Sequence, residues 1–189
     1  MTVDFSQLTD AQLASHARMG SQLAYREFLT RYKAPIYRLI CNYIGDPDEA
    51  LDLVQEAFVS AFAAIDRYDD SRAFRVWMSR IAVNKCRDWA RRRKVRAFFS
   101  AALPLEKAYD VASADPLPDE ELSGRGQVQI VRRAMDGLPA KLREVLILRA
   151  IDEMSQAEAA KILGVSEKTV ETRLYRARLR MREQLGDLS

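Results

Sequence analysis

The residues of this chain best suited to do chemistry are charged ones that lie in two adjacent blocks of opposite sign. Residues 44–70 carry eight acids against one base, and residues 72–96 carry ten bases against one acid. The basic block ends in the run Arg91–Lys94, which suits a polyanion such as the phosphate backbone of a nucleic acid. The segregation predicts two different partners, one basic and one polyanionic, although the net charge is only +3.

Residue types that form catalytic or metal centres do not cluster in the sequence. The single histidine, His16, stands alone, and there is no glycine-rich phosphate loop, metal-ligand cluster or nucleophile arrangement. Cys41 and Cys86 are too few and too far apart for a disulfide framework or a zinc site. We therefore expect neither enzyme activity nor a cofactor.

The N-terminus and the hydropathy of the chain bear on its location. The opening MTVDFSQLTD lacks the basic region and apolar run of a signal peptide. No stretch approaches the roughly 18 apolar residues that a membrane-spanning helix needs. We expect a cytoplasmic monomer that makes no membrane contact of its own.

Apolar residues recur at helical spacing almost everywhere, and strand signals are nearly absent. One segment, 97–126, breaks the pattern with three prolines, two glycines and six acids. Loops of this length are uncommon inside compact domains. The sequence therefore predicts an all-α chain with an N-terminal helical domain at 1–96, a flexible acidic linker at 97–126, and a C-terminal helical domain at 127–189.

The C-terminal domain contains a helix-turn-helix pattern. Ser155 and Glu158 have the spacing of a capping box that begins a short helix. Gly164 can end that helix in the left-handed conformation. Ser166 can then cap a second, longer helix that runs to about Gln184. A short helix, a glycine turn and a longer helix are typical of a DNA-binding motif.

The second helix of this motif has an apolar and a polar face. At helical pitch Val170 and Leu174 fall on the apolar face. The opposite face holds Lys168, Thr172, Tyr175 and Arg176, flanked by Thr169, Glu171 and Arg173. Such side chains suit base edges in the major groove, and the later arginines suit phosphates. A merely solvated charged face is the alternative, but the capping box and glycine turn favour DNA binding.

The acidic block lies on a helix predicted from about Asp48 to Ile65. Its buried stripe would consist of Leu51, Val54, Phe58, Ala61, Phe62 and Ile65. The opposite face holds Glu49, Asp52 and Glu56, with Leu53 among them. Acids around an apolar anchor predict docking onto a basic partner. An ordinary amphipathic helix with one exposed leucine is the alternative.

The basic block begins as a helix that is apolar nearly all round from Ala73, as expected for a helix central to a bundle. Asn84 and Asp88 then interrupt the face that Trp77 and Ile81 begin. Polar groups at such positions either satisfy one another internally or have a function. The residues alone leave both alternatives open.

Three of these segments resemble, in family order, the extracytoplasmic-function RNA polymerase sigma factors of the sigma-70 family. DPDEALDLVQEAFVSAFAAIDRYD is similar to their main polymerase-binding helix. FRVWMSRIAVNKCRDWARRRK is similar to their promoter-melting and minus-ten-recognition helix. SQAEAAKILGVSEKTVETRLYRARLRMREQL is similar to the helix-turn-helix that reads their minus-thirty-five element.

The resemblance implies a sigma factor that binds core RNA polymerase, directs promoter-specific initiation on promoter DNA and is controlled by an anti-sigma factor. It implies polymerase contacts from Asp52, Leu53, Gln55 and Glu56. It implies minus-ten contacts from Tyr68, Arg72, Asn84, Asp88, Arg91 and Arg92. It implies minus-thirty-five contacts from Lys168, Thr169, Glu171, Thr172, Arg173 and Arg176.

The chain departs from the family pattern at two places, and a competing interpretation of its function exists. The loop DRYDDSRA lacks the glycine often found before Phe74, and Glu158-Ala159-Ala160 replaces the usual Glu-Ile-Ala. No long N-terminal inhibitory segment is evident, so control is expected from a separate protein. The alternative function is a sigma mimic that binds an anti-sigma factor without engaging DNA. Retention of Arg91–Lys94 and the basic residues of the second helix favours a sigma factor.

Overall fold

The computed structural model describes residues 3–102 and 124–186, and these residues form helices and no β-strand. The prediction of an all-α chain is confirmed. The α-helices are α1 (Asp10–Arg18), α2 (Gln22–Ile44), α3 (Pro47–Ala63), α4 (Phe74–Ala102), α5 (Gly124–Asp136), α6 (Ala140–Leu146), α7 (Gln156–Leu163) and α8 (Glu167–Gly186). Short 3₁₀ turns lie at Phe5–Gln7 and Ile65–Arg67, and a π-helical turn lies at Ile147–Ile151. Among residues 3–102 and 124–186, none of the helices combines the length and the apolar composition that a membrane span requires.

The predicted linker lies mostly outside the described residues. At its two ends, α4 continues to Ala102, past the predicted domain boundary at residue 96, and α5 begins at Gly124. The division into two domains and a linker stays a prediction.

Local sequence signals set the helix ends of the N-terminal domain. Thr9 begins α1 with a complete capping box to Gln12. Gly45 ends α2 at φ +80°, a conformation that a side chain would strain. Asp46 then accepts hydrogen bonds from two backbone amides of the first turn of α3. The chain can therefore reverse sharply and lay α3 back against α2.

The core of this domain is built by α2, α3 and α4 around an aromatic cluster. The rings of Phe28 and Phe74 stack with their centroids 4.0 Å apart. Tyr32, Tyr68 and Trp77 surround Phe74 at centroid distances of 5.0, 5.3 and 5.4 Å. This cluster fixes the start of α4, the helix that carries the basic block.

The C-terminal domain contains the predicted helix-turn-helix. Ser155 Oγ accepts from the Glu158 amide at 3.2 Å, and Glu158 accepts from the Ser155 amide at 2.7 Å. Gly164, at φ +68°, ends α7. Val170 and Leu174 are buried where α8 packs against α6 and α7. The capping box, the glycine turn and the apolar face of α8 are thus confirmed.

The two predicted domains lie against each other, in an arrangement that we call the closed form. Helix α4 packs on α7, and α2 packs on the π-helical turn. Arg75 donates to the Asp152 carbonyl at 2.8 Å, and Arg132 donates to the Gly45 carbonyl at 2.7 Å. A buried carboxylate, Glu144, faces the N-terminal domain in the same region. Helix α4, which carries the predicted minus-ten contacts, therefore packs against the other domain.

The closed form should depend on pH through Asp152. Burial raises the pKa of this carboxyl from 3.8 to about 6, and the charges of Arg75 and Arg38 oppose that effect only in part. Its Oδ2 atom is buried and has no hydrogen-bond partner among the described residues. On separation of the domains the pKa should fall back, so ionisation penalises the closed form above about pH 6 and protonation removes the penalty.

We therefore expect the population of the closed form to rise as the pH falls through about 6. Small-angle X-ray scattering would report this as a decrease in the radius of gyration. Asp152→Asn removes the titrating group and should abolish the trend. The same pH dependence in the variant would contradict this role of Asp152.

Candidate nucleic-acid interface

The sets of buried and exposed side chains on α3 differ from those predicted from the sequence. Leu53, predicted to be exposed, is only 2% exposed, whereas Leu51, predicted to be buried, is 45% exposed. The buried stripe consists of Ala50, Leu53, Val54, Ala57, Phe58 and Ala61. Because α3 packs against both α2 and α4, its buried arc is wide enough to include Leu53. The prediction that Leu53 is an exposed anchor is therefore wrong.

The exposed side of α3 nevertheless combines acids with apolar residues. We define the α3 strip as Leu51, Asp52, Gln55, Glu56 and Val59, all of which are exposed. Leu51 and Val59 lie eight residues apart on one side, and Val59 is 69% exposed. Glu56 also pairs with Lys85 of α4 at 3.5 Å. Two exposed apolar side chains therefore lie among acids on α3, where the sequence predicted the single residue Leu53.

Because Leu53 is buried, its side chain should contribute to the stability of the fold. We expect Leu53→Ala to lower the free energy of unfolding by about 3 kcal/mol, because the variant loses transfer free energy and leaves a cavity between helices. Chemical denaturation monitored by circular dichroism would measure this change. Leu51→Ala is the matched control and should change the stability by less than about 1 kcal/mol. Equal losses in the two variants would contradict the burial pattern.

The loop between α3 and α4 is held by hydrogen bonds and an ion pair among its own residues. Tyr68 is 4% exposed, and its hydroxyl donates to the Arg72 carbonyl at 2.5 Å. Burial raises the pKa of Tyr68 to about 12. Asp69 accepts from the amide and hydroxyl of Ser71 and pairs with Arg72 at 2.7 Å. The implied DNA contact by the Tyr68 side chain is therefore not available in the closed form, and Tyr68 instead supports the loop that presents Arg72.

The polar positions of α4 lie at the surface. Asn84 is exposed and accepts from Arg87 at 3.4 Å. Asp88 is half-exposed and pairs with Arg91 at 2.8 Å. Arg92 is exposed as well. Asp88 thus pairs with an exposed arginine, whereas the partner of Asn84 is Arg87, a half-buried arginine that also binds the buried Glu144 carboxylate.

A groove of about 650 Å³ continues this surface along α4. Its lining combines Glu49 and Val95 with Arg91, Arg92 and Arg96 around Trp89. The Trp89 indole donates to Glu49 at 2.9 Å and is largely buried, while the Arg93 guanidinium lies 5.2 Å from the ring centroid. Trp89 therefore supports a rim of arginines and offers little stacking surface of its own. The rim has the charge that a phosphate backbone requires.

Of the six predicted minus-thirty-five contacts on α8, three are exposed and three are half-buried. Lys168 and Glu171 are exposed and pair at 3.0 Å, and Arg176 is exposed further along. The other three predicted contacts, Thr169, Thr172 and Arg173, are half-buried. Thr169 bonds to the Ser166 cap, and Thr172 donates to the Lys168 carbonyl at 2.9 Å. Three predicted contacts are thus exposed, two of them paired with each other, and the other three are half-buried.

Sequence reasoning missed a cluster of three residues between the domains, Tyr43, Arg87 and Glu144. Glu144 is 5% exposed and accepts hydrogen bonds from both other side chains. The only sequence signal was an acid directly before the apolar run Val145–Leu148. Its partners lie 57 and 101 residues away, so no local pattern could identify them.

Family and sequence comparisons agree with this geometry. The sigma-70 region 2 family matches residues 28–96, and the sigma-70 region 4 family matches residues 129–181. The RNA polymerase sigma factor CnrH of Cupriavidus metallidurans is 37% identical over 175 residues, which cover 91% of this chain and 92% of that protein. The ECF RNA polymerase sigma factor SigW of Bacillus subtilis is 33% identical over 175 residues, with coverage of 90% and 94%.

Solved structures show the same fold. CnrH in complex with the cytosolic domain of CnrY matches at a TM-score of 0.71 and 31% identity, covering 95% of this chain and 99% of that one. The sigma factor RpoE in complex with the anti-sigma factor NepR from Bartonella quintana matches at 0.65 and 26%, covering 85% and 95%. Two family segments in the expected order, relatives above 30% identity across the chain and a shared fold lead to one conclusion. This chain belongs to the extracytoplasmic-function RNA polymerase sigma factors of the sigma-70 family.

Proposed function

We propose that this sigma factor binds core RNA polymerase through the α3 strip and delivers it to promoters recognised by α4 and α8. The observation that carries the proposal is the placement of an exposed acidic and apolar surface on α3 beside an arginine-rich surface on α4. Acids steer the approach to a basic partner, and buried apolar contacts then hold the complex. The two surfaces can therefore bind protein and DNA at the same time.

The minus-ten element would be bound by α4 and the loop before it. Arg91 and Arg92 would neutralise phosphates, while Asn84 and Asp88 can hydrogen-bond to bases once the strands separate. Arg72 would approach from the loop that Tyr68 supports. The pairs Asp69–Arg72 and Asp88–Arg91 would exchange for contacts with DNA.

The minus-thirty-five element would be read by α8. Its exposed residues Lys168, Glu171 and Arg176 suit base edges in the major groove. Thr169 and Thr172 would keep the first turns of the helix in shape, and the half-buried Arg173 would contact DNA from the same face of the helix.

We further propose that an anti-sigma factor controls this chain in the cytoplasm. The support is the likeness to CnrH and RpoE, each solved with a bound protein partner. The exposed apolar and acidic surface of α3 gives such a partner a place to compete with polymerase.

The test is reconstitution with bacterial core polymerase, followed by sequencing of the transcripts made from fragmented host genomic DNA. Initiation at discrete sites that share two spaced upstream elements would establish promoter-directed initiation and give the promoter sequence. Absence of core binding by inhibitor-free protein would contradict the proposal and favour a mimic. Core binding without initiation would contradict the assigned minus-ten function.

A further inference from the structure

We propose that the Glu144 carboxylate is an autoinhibitory contact, which holds the closed form together and occupies Arg87 in place of a DNA phosphate. The inference rests on the proposed binding of DNA by α4 and adds a means of regulating it within the chain itself. Its evidence is a set of contacts that join the two domains at the surface predicted to bind the minus-ten strand.

Both oxygen atoms of the Glu144 carboxylate accept hydrogen bonds. Its Oε1 atom accepts from Tyr43 Oη at 2.5 Å and from Arg87 Nε at 2.9 Å. Its Oε2 atom accepts from Arg87 Nη2 at 2.7 Å. Glu144 lies on α6 of the C-terminal domain, whereas Tyr43 and Arg87 lie on α2 and α4. All three hydrogen bonds therefore cross from one domain to the other.

Arg87 connects this contact to the proposed DNA surface. It lies between Asn84 and Asp88 on α4, and its Nη1 donates to Asn84 Oδ1 at 3.4 Å. The paired hydrogen bonds that it gives to Glu144 have the geometry that guanidinium groups also use on phosphate. In the closed form Arg87 is therefore unavailable to DNA, and the Asn84 carbonyl is partly engaged as well.

Because Glu144 is buried, the stability of the closed form should depend strongly on the charge of Arg87. Burial by itself raises the pKa of Glu144, but the hydrogen bonds from Arg87 and Tyr43 and the charges of Arg87 and Arg173 together outweigh burial, so the pKa lies below its ordinary value. Glu144 is therefore ionised at neutral pH. Loss of Arg87 leaves the buried carboxylate with only the charge of Arg173 and the hydrogen bond from Tyr43, so separation of the domains, which returns Glu144 to water, becomes more favourable.

Arg173 supplies a second cation for Glu144 within the C-terminal domain. Its charge also lowers the pKa of Glu144, and it is one of the predicted minus-thirty-five contacts on α8. When the domains separate, Glu144 keeps a neighbouring cation while Arg87 becomes free. Opening thus exposes the α4 surface without leaving an isolated acid behind.

Charge reversal in the full-length chain tests the closing contact. The wild-type protein at low concentration should have a radius of gyration of about 16 Å if it is compact. Arg87→Glu should increase this radius measurably in small-angle X-ray scattering, and the double variant Arg87→Glu with Glu144→Arg should restore the compact value. Asp136→Asn, which removes an exposed ion pair within the C-terminal domain, is the matched control and should scatter like the wild type. Equal radii for wild type and Arg87→Glu would overturn the proposal.

Binding of DNA provides the second measurement. The probe is a mixed-sequence single strand of about 20 nucleotides, because phosphate contacts do not depend on sequence. Glu144→Gln should bind it about three- to tenfold more tightly than wild type, since a larger fraction of the protein is open. Asp136→Asn should bind like wild type. An unchanged affinity and radius in Glu144→Gln would overturn the inference.

These readouts are independent of polymerase. If Arg87→Glu opens the chain but neither this variant nor the wild type binds core polymerase, the autoinhibitory contact is supported and the proposed function is contradicted. If core binding succeeds and neither variant changes the radius, the function stands and the contact fails.

Discussion

The double variant Leu51→Asp with Asp52→Lys should lose about 100-fold in affinity for core polymerase. It removes an exposed apolar anchor and reverses the charge of the adjacent acid, so both docking and steering are lost. Neither side chain is part of the buried stripe of α3, and the free energy of unfolding should change by less than about 1 kcal/mol. Titration of fluorescently labelled protein with core polymerase would measure the affinity.

Asp66→Lys is the charge-matched control for this variant. Asp66 is exposed and belongs to the same acidic block, but it lies beyond the end of α3. It should retain core affinity within about threefold if the α3 strip is the docking surface. Similar losses in both variants would indicate a response to overall charge and would contradict a defined contact.

Arg176→Ala should weaken binding to the cognate promoter about tenfold while leaving affinity for unrelated DNA almost unchanged. Arg176 is exposed on the predicted base-reading face of α8, and one specific base contact is worth about 1–3 kcal/mol. The measurement is competition binding of the assembled holoenzyme on promoter and non-promoter duplexes. Core affinity should remain at the wild-type value, because Arg176 is not part of the α3 strip.

Arg180→Ala provides the contrast within the same helix. It is exposed four residues later, where an arginine is expected to meet phosphate. It should weaken binding to all duplexes alike. The slope of the logarithm of the binding constant against the logarithm of the salt concentration should decrease by about one, because one phosphate contact is lost. If Arg176→Ala behaved in the same way, Arg176 would contact only the backbone and would not read the promoter.

The features predictable from sequence are those that depend on residues close together in the chain. The capping box of Ser155 and Glu158 and the left-handed turn at Gly164 each involve a few neighbouring positions, and both occur as predicted. The apolar face of α8 follows from helical periodicity in the same way, with Val170 and Leu174 buried.

The orientation of α3 could not be predicted with the same security. This helix is apolar on several sides, and Leu51 and Leu53 are both compatible with burial. Which of them faces outward depends on where α2 and α4 lie, and these helices cover Leu53 and leave Leu51 exposed. The alternatives of structural or functional polar groups on α4 were likewise open, and the structure places Asn84 at the surface with an arginine as its partner.

By itself, then, the sequence determined the helical class, the helix-turn-helix and the separation of acidic from basic surface, because these depend on local periodicity, caps and composition. Only the tertiary structure decided that Tyr68 is buried in an aromatic cluster and that Glu144 joins Arg87 and Tyr43 across the domains. The physical reason is that burial and ion pairing are set by neighbours distant in the chain. A carboxylate 57 residues from its guanidinium has no periodic signal that records the pairing.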